Sequence, residues 1–431
     1  MLKQSIQMIK EKLNNKKILL ACSTGVDSMV LLDLLLKYNN NCQIIISHVN
    51  HQKRQQSIQE EEFIIKYCKE KKLKCYVKKL EKHEEGNFQE WARNERYHFF
   101  EEIIEKENID YLLTAHHADD NLETIIMRLL KSSSLKGYAG IEKEIKQEKY
   151  IILRPLLDHS KNEIIAYAKE HNITYYQDIS NYSDDYTRNR IRKYITPILL
   201  EENPNLYEAI NYYSQTILDA NQLLEKEKVT FIKNHVLVKN NNDNQIIEFK
   251  INEFLELSEY LRVQVLFRIL RRYSLSRTCI DDIIKQIISP KNKIITKINN
   301  ELSMIKEYGY IQFCNFTLEE KNFYLEITNE GIYKIDEDIT IEVSKNCCYF
   351  NTRNSKLWYN IKSLPIIIRT RKNGDKIHTS MGTISVSDYL TNKKIPFLKR
   401  RNILLLCENE NVISILGYVI KNRKEEENVR D

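Results

Sequence analysis

The chain is short of the two residues that usually punctuate loops, with 9 glycines and 6 prolines among 431 residues. Lysine, isoleucine and asparagine are abundant, which reads as base-composition bias in the gene and carries no function. No apolar run approaches the about 20 residues needed to cross a bilayer, so no membrane association is expected. The cysteines, at 22, 42, 68, 75, 279, 314, 347, 348 and 407, include no C-x-x-C pair. Their odd number, with only Cys347 and Cys348 adjacent, points away from a disulfide framework and toward a reducing, cytoplasmic setting. The opening residues MLKQSIQMIKEKL read as a charged amphipathic helix and not as a secretory signal. A strong charge of one sign is also missing: 66 Lys+Arg against 60 Asp+Glu leave +6. That balance permits a polyanionic partner without requiring one. Finally, the lysine-bearing phosphate loop G-x-x-x-x-G-K-[ST] is absent.

What is present is a regular alternation. Short apolar runs at Ile18–Ala21, Gln43–His48, Lys74–Val77, Tyr111–Thr114 and Tyr150–Leu153 read as strands. Helical patterns lie between them near 27–38, 57–71, 87–107 and 119–131. This predicts an α/β fold, a parallel sheet covered on both faces, over about residues 1–200. Ligands of such sheets sit beyond the carboxyl ends of the strands, which singles out Cys22–Ser28, His48–Arg54 and Ala115–Glu123. The character changes near TPILLEENPN, and 205–230 and 252–290 read as helices joined by the Asn-rich loop KNNNDNQ, a small helical domain over 201–315. From 320 to 425 short β-rich runs (NFYLEI, TIEVS, PIIIRTR, NILLLCE, VISILGYVI) predict a C-terminal mixed α/β domain, followed by a frayed tail.

The polar turn Ser23-Thr24-Gly25-Val26-Asp27-Ser28 joins a strand to a helix. A helix N-terminus offers free N–H groups and a positive dipole end, which suit phosphate. The hydroxyls of Ser23, Thr24 and Ser28 add donors, and Gly25 allows close backbone approach. Asp27 repels phosphate, so it fits a helix cap or an indirect Mg²⁺ partner. A capped turn with no ligand explains the same residues. In SHVNHQKR, the residues His48, Asn50 and His51 are placed to face a nucleotide or acceptor, or to form a polar loop. His116, His117, Asp119, Asp120 and Glu123 crowd a helix start. Asp120 and Glu123 share one helical face and are suited to gripping an amine or Mg²⁺, while acids there also serve as caps. The histidines are adjacent and no H-E-x-x-H completes a metal set, so no metal ligands are assigned. Arg188, Arg190 and Arg192 are of the type that forks phosphate or carboxylate, or line a solvated basic face. Arg262, Arg268, Arg271, Arg272 and Arg277 form an acid-free stripe beside Tyr273 that suits an RNA backbone or a helix surface.

Taken as strings, these segments carry a resemblance. Ser-x-Gly-x-Asp-Ser after the first strand resembles the PP-loop of ATP-pyrophosphatase enzymes, SGGxDS, with Thr24 where that pattern has glycine. HVNHQKR, HHADDNLETIIMRLL, the D-x-SN of Asp178, Ser180 and Asn181, and RNRIR before Pro197 resemble blocks of the tRNA(Ile)-lysidine synthases, in the same order. So do IIIRTRKNGDKIH and SVSDYLTNKKIPFLKRR, where Arg369, Arg371, Gly374, Asp375, Lys399, Arg400 and Arg401 sit at matching positions. The resemblance implies ligation of L-lysine to C2 of the wobble cytidine of a CAU-anticodon tRNA(Ile), through an adenylated tRNA, with ATP and Mg²⁺ consumed or used and AMP and pyrophosphate released. It implies an ATP site at residues 23–28; Asp120, Glu123 and Arg188 as catalytic groups; and His51, His116, Asp120, Glu123 and Arg190 as substrate contacts. It implies tRNA contacts from Arg192, Arg268, Arg271, Arg272, Arg369, Arg371 and Arg400. Oligomeric state stays open, a homodimer included. Three other readings remain at this stage: a PP-loop tRNA thiolase using Cys22, a metal-dependent hydrolase or deaminase built on His116, His117 and Asp119, and a non-catalytic RNA-binding protein.

Overall fold

Along the first strand, side chains alternate between two cores. The computed structural model describes residues 2–39, 41–52, 56–80, 88–176, 187–241, 244–315, 322–336, 339–352, 355–379, 382–409 and 411–418. Strand β1 (Lys17–Ala21) sends Ile18 and Leu20 to one face and Leu19 to the other. Its neighbours repeat the pattern: Ile44, Ile46, Leu113 and Leu153 join Ile18 and Leu20, whereas Ile45, Leu112 and Ile152 join Leu19. A sheet buried on both faces needs apolar residues at every position, which is why these strands read as continuous runs.

The other strands are β2 (Gln43–Asn50), β3 (Lys74–Lys79), β4 (Tyr111–Leu113), β5 (Glu144–Lys146) and β6 (Ile151–Leu153). The helices are α1 (Lys3–Lys12), α2 (Val26–Tyr38), α3 (Gln56–Glu70), α4 (Phe88–Glu107), α5 (Ala118–Lys131), α6 (Leu135–Tyr138), α7 (Lys161–Glu170), α8 (Thr187–Arg190), α9 (Thr196–Glu202) and α10 (Leu206–His235). The sheet order is β3-β2-β1-β4-β6-β5. All pairings are parallel except β5 with β6. Strand β5 escapes a sequence reading because three residues, two of them charged, show no strand period. The chain runs outward from β1 through β2 and β3, then returns to β4 on the other side. That reversal opens a crevice between the carboxyl ends of β1 and β4.

Helix α2 is apolar nearly all round. Met29, Val30, Leu31, Leu32, Leu34 and Leu35 are all buried, against β1 below and α7 beyond. At about 1.5–3 kcal/mol per fully buried aliphatic side chain, this segment holds the loop before it firmly in place. Asp33 is its polar exception and is satisfied by the Tyr167 hydroxyl at 3.0 Å and Lys37 at 2.9 Å.

Two compact units divide within α10: Met1–Glu225 and Lys226–Asp431. In the second, the helices at Ile251–Glu256, Glu259–Ile269 and Arg277–Ile288 accompany a five-stranded antiparallel sheet. This adds strands to a stretch that reads as helical. The Asn-rich segment contributes to two antiparallel strands, Leu237–Asn241 and Asn244–Lys250, whose polar residues hide the strand period. Further along, two four-stranded sheets share a core of Ile327, Ile341, Val343, Ile366, Ile368 and Leu406. A two-stranded ribbon and the helices Val386–Asn392 and Phe397–Arg400 complete the unit. Among the described residues no helix is long and apolar enough to cross a membrane.

Candidate functional site

The turn after β1 places its backbone for an anion. Gly25 precedes α2 in extended conformation, while Thr24 has φ 64°, the left-handed region that favours glycine. Its side chain is fully buried and Oγ1 donates to the Ser23 carbonyl at 2.5 Å. The branched side chain therefore points into the protein and not toward the turn's open face. The Thr24 carbonyl accepts from Tyr176 N–H at 3.0 Å. Ser28 Oγ donates to the Gly25 carbonyl at 3.0 Å and lies 3.4 Å from Ser23 Oγ.

At the end of β2, His48 is buried with Nδ1 2.9 Å from the Cys22 carbonyl, so its Nδ1–H braces the base of the turn. Burial pushes its pKa down. Asn50 is also internal: Nδ2 donates to Glu61 at 2.7 Å and to the Ser57 carbonyl at 3.2 Å. Both support the loop rather than face a ligand. His51 is exposed. Arg54 lies outside the described residues, as do Asp178, Ser180, Asn181 and Tyr186.

Four carboxylates gather beyond β1 and β4, three of them beside a lysine or arginine side chain. Asp27 takes Lys161 Nζ at 2.7 Å on both oxygens. Asp119 accepts from the Lys161 backbone N–H at 2.8 Å and from the Tyr207 hydroxyl at 2.6 Å, so it joins α5 to α7 and α10. Burial alone raises its pKa, but His117, Tyr207 and the Lys161 N–H outweigh burial and hold it at about 2. Asp120 caps its own helix through His117 N–H at 3.1 Å and lies 3.7 Å from Arg192. Glu123 is fully buried, with Arg192 Nε and Nη2 at 2.7 and 3.1 Å and Arg188 Nε at 3.1 Å. Burial pushes its carboxyl up, against the lowering pull of the Arg192 and Arg188 guanidiniums.

The adjacent histidines separate. His117 lies 3.4 Å from Asp119, 3.5 Å from Asp120 and 3.9 Å from Asp27. Burial works against its charge, yet these three acids raise its pKa. His116 bonds Thr114 Oγ1 at 2.9 Å. Burial pushes it down to about 4, with Arg154, Arg96 and Arg188 adding to the push against Asp120. The site thus has an acidic side around His117 and a cationic side around His116.

Several sequence expectations change. Glu123 has both oxygens on arginines and no exposed surface, so as placed it orients Arg188 and Arg192 instead of touching a substrate amine. Arg192, expected as a tRNA contact, pairs with Glu123 in this acid cluster and sits where the backbone makes a π-helical turn, Ile191–Ile195. Arg190 is exposed, with Nη2 on Thr187 Oγ1 at 3.0 Å. In the second unit, Arg369 is buried in a two-pronged pair with Asp375 at 2.6 and 2.8 Å. Arg400, also buried, donates to the Ile395 carbonyl at 2.6 Å, Thr391 at 2.9 Å and the Tyr308 hydroxyl at 2.6 Å. Both guanidiniums are committed inside the fold, which removes them from the tRNA contacts. Arg371 is half-buried, whereas Arg268, Arg271 and Arg272 are exposed.

Sequence reasoning missed Arg96, Arg154 and Lys161. Arg154 is buried and Arg96 half-buried, and the buried Nε of each has no hydrogen-bond partner among the described residues. Arg154 ends β6, a position the carboxyl-end rule alone flags. Lys161 lies 134 residues from Asp27, and nothing local signals the contact.

Cys22 is buried and burial raises its thiol pKa, the wrong condition for a persulfide-forming nucleophile. Among the described residues no three His, Cys, Asp or Glu side chains converge as metal ligands.

Residues 1–199 match the family model of a PP-loop domain. The chain is 32% identical to a tRNA(Ile)-lysidine synthase of Staphylococcus epidermidis, across 95% of this chain and 94% of that one. It is 31% identical to the tRNA(Ile)-lysidine synthase of Geobacillus kaustophilus, across 89% and 86%. For the enzyme of that name from Clostridioides difficile the identity is 29%, across 96% and 94%.

Proposed function

The chain belongs to the tRNA(Ile)-lysidine synthases, and on that premise we propose that it joins L-lysine to C2 of the wobble cytidine in a CAU-anticodon tRNA(Ile). It is a ligase that forms a carbon–nitrogen bond and uses ATP. Cytidine O2 is a poor leaving group and its carbon a weak electrophile, so adenylation of that oxygen prepares the carbon for the amine. AMP and pyrophosphate leave.

The observation that carries this reading is the convergence of the phosphate turn with an acid–arginine cluster in the crevice between β1 and β4. The 23–28 turn holds the phosphates with backbone N–H groups and the hydroxyls of Ser23 and Ser28. Asp27, whose oxygens hold Lys161 here, would take Mg²⁺ beside the phosphates when that ammonium turns to them, and the ion would supply charge neutralisation. Asp120, beside His117 and less sequestered than Glu123, takes the substrate's ammonium. Arg188 takes its carboxylate or the AMP phosphate, oriented by Glu123 and by Thr124 at 3.0 Å. His116, pushed down to about 4, is neutral at physiological pH and offers a hydrogen bond without charge. Arg96 and Arg154 give this side a positive field for an anion. The exposed Arg268, Arg271 and Arg272 suit the tRNA backbone. A wobble base splays from its loop at low cost because the anticodon is single-stranded.

The test is incubation with unmodified CAU tRNA, ATP, Mg²⁺ and labelled lysine. Lysine is expected to enter tRNA with stoichiometric AMP. Neither label in tRNA nor AMP sinks the reading. Thiolation without lysine incorporation transfers it to the thiolases.

A further inference from the structure

The phosphate turn contains no cation of its own. Its only charged residue, Asp27, has the same sign as the pyrophosphate that must leave. A turn that binds polyphosphate with an acid in it needs a positive group from elsewhere. The chain delivers one from α7. Lys161 Nζ lies 2.7 Å from both oxygens of Asp27, in the first turn of α2.

The root of that side chain is held by the site itself. Lys161 N–H donates to Asp119 Oδ2 at 2.8 Å. The helix start is closed by a capping box: Ser160 N–H donates to Glu163 at 2.7 Å, and Glu163 N–H donates to Ser160 Oγ at 3.2 Å. Just upstream, the His159 carbonyl accepts Ala118 N–H at 2.9 Å, which ties α7 to the start of α5. Four independent bonds thus aim a lysine at the phosphate turn. The ammonium itself stays open to solvent, since the side chain is 36% exposed and its partner Asp27 25%. A pair this open contributes little to stability, so stability alone does not account for the anchoring around it.

We propose that Lys161 is an ATP-binding residue whose ammonium contacts the phosphates that depart as pyrophosphate. It stands in for the lysine that the turn's own sequence lacks. The inference rests on the adenylation reading above. In that step a bond forms between cytidine O2 and the α-phosphorus. The bond from that phosphorus to the bridging oxygen breaks, and its electron pair leaves on pyrophosphate. Lys161 gives charge and hydrogen bonds to the leaving oxygens and transfers no proton. An ammonium on a four-carbon stem suits this task, because it acts as a point charge that follows the phosphates as they move.

The test compares Lys161→Met and Lys161→Arg with the wild-type full chain. In the tRNA assay, Lys161→Met is expected to slow pyrophosphate release about 10²–10³-fold and to raise the KM for ATP, as loss of one preorganised donor to developing charge does. The KM for L-lysine and the melting temperature should stay within error of wild type. Lys161→Arg should recover most of the rate. Equilibrium binding of ATP to the free protein provides a second readout, expected to weaken in Lys161→Met and recover in Lys161→Arg. Unchanged ATP binding in Lys161→Met overturns the proposal, whether or not the wild type makes lysidine. So does equal damage in both variants with a lowered melting temperature, which marks a structural ion pair. A wild type that binds ATP through Lys161 yet attaches no lysine leaves the ATP contact standing and defeats the parent reading.

Discussion

The arginines of the first unit and those of the second match family motifs about equally well as strings, yet they are used differently. Arg188 and Arg192 converge with Glu123 and Asp120 at the carboxyl end of a parallel sheet. Arg369 and Arg400 point inward and close loops: one pairs with Asp375 six residues on, the other stitches three partners, including Tyr308 from a neighbouring hairpin. The difference lies in what a mixed antiparallel scaffold needs. Its loops are long and their polar groups must be satisfied internally, and a guanidinium with five donors does that work well. A motif position therefore records that a residue matters, and only its surroundings say for what.

The largest effect should come from the cluster that gathers in the first unit. Glu123→Gln removes the charge that neutralises two arginines, and lysidine formation should fall about 10³-fold with some loss of stability, since an unpaired buried charge is costly. Asp120→Asn should reduce the rate similarly and raise the KM for lysine, with the ATP KM little changed. Labelled-lysine incorporation at varied lysine separates the two. A Glu123→Gln variant that only raises the lysine KM would return Glu123 to direct substrate contact and weaken the contrast between the units.

In the second unit the effect should appear in stability. Arg369→Ala leaves the half-buried Asp375 carboxylate with only the Lys372 N–H as partner and should cost about 3 kcal/mol in the unfolding of that unit. The triple change Arg268→Ala, Arg271→Ala, Arg272→Ala should leave the melting temperature unchanged. It should weaken tRNA binding and lower the salt slope by about 0.7 per lost phosphate contact. If Arg369→Ala instead melts normally and loses tRNA, its buried pairing is not what matters.

Much of the first unit was legible. The period of the strands, the helices between them and the carboxyl-end rule place the turn, His116, His117 and Asp120 at the strand ends where the structure has them. What was hidden is long-range. Lys161 meets Asp27 only because α7 packs on α2, and no local pattern encodes that. Thr24 is instructive in another way. The sequence flagged it as a departure from glycine, and its φ of 64° explains why glycine is natural there. The inward hydrogen bond from its hydroxyl could not be foreseen. The Asn-rich segment reads as a loop because asparagine, a loop residue, also fills the ends of the paired strands Leu237–Asn241 and Asn244–Lys250.

The smallest effect tests the two sides of the crevice through adjacent histidines. His116 sits at about 4, below its ordinary value, chiefly through burial. The folded protein therefore resists protonating it, and stability is lost as pH falls below about 6.5, where the unfolded chain takes the proton. His117 is raised despite its burial, by Asp119, Asp120 and Asp27. Its contribution is present below about 6.5 and is lost as pH rises through the folded value. The two slopes oppose each other. His116→Asn should gain about 2 kcal/mol on wild type as pH falls from 6.5 to 5, whereas His117→Asn should gain on wild type as pH rises above 6.5, read from denaturant unfolding at each pH. Identical slopes in the two variants would mean that the crevice has one electrostatic character and not two.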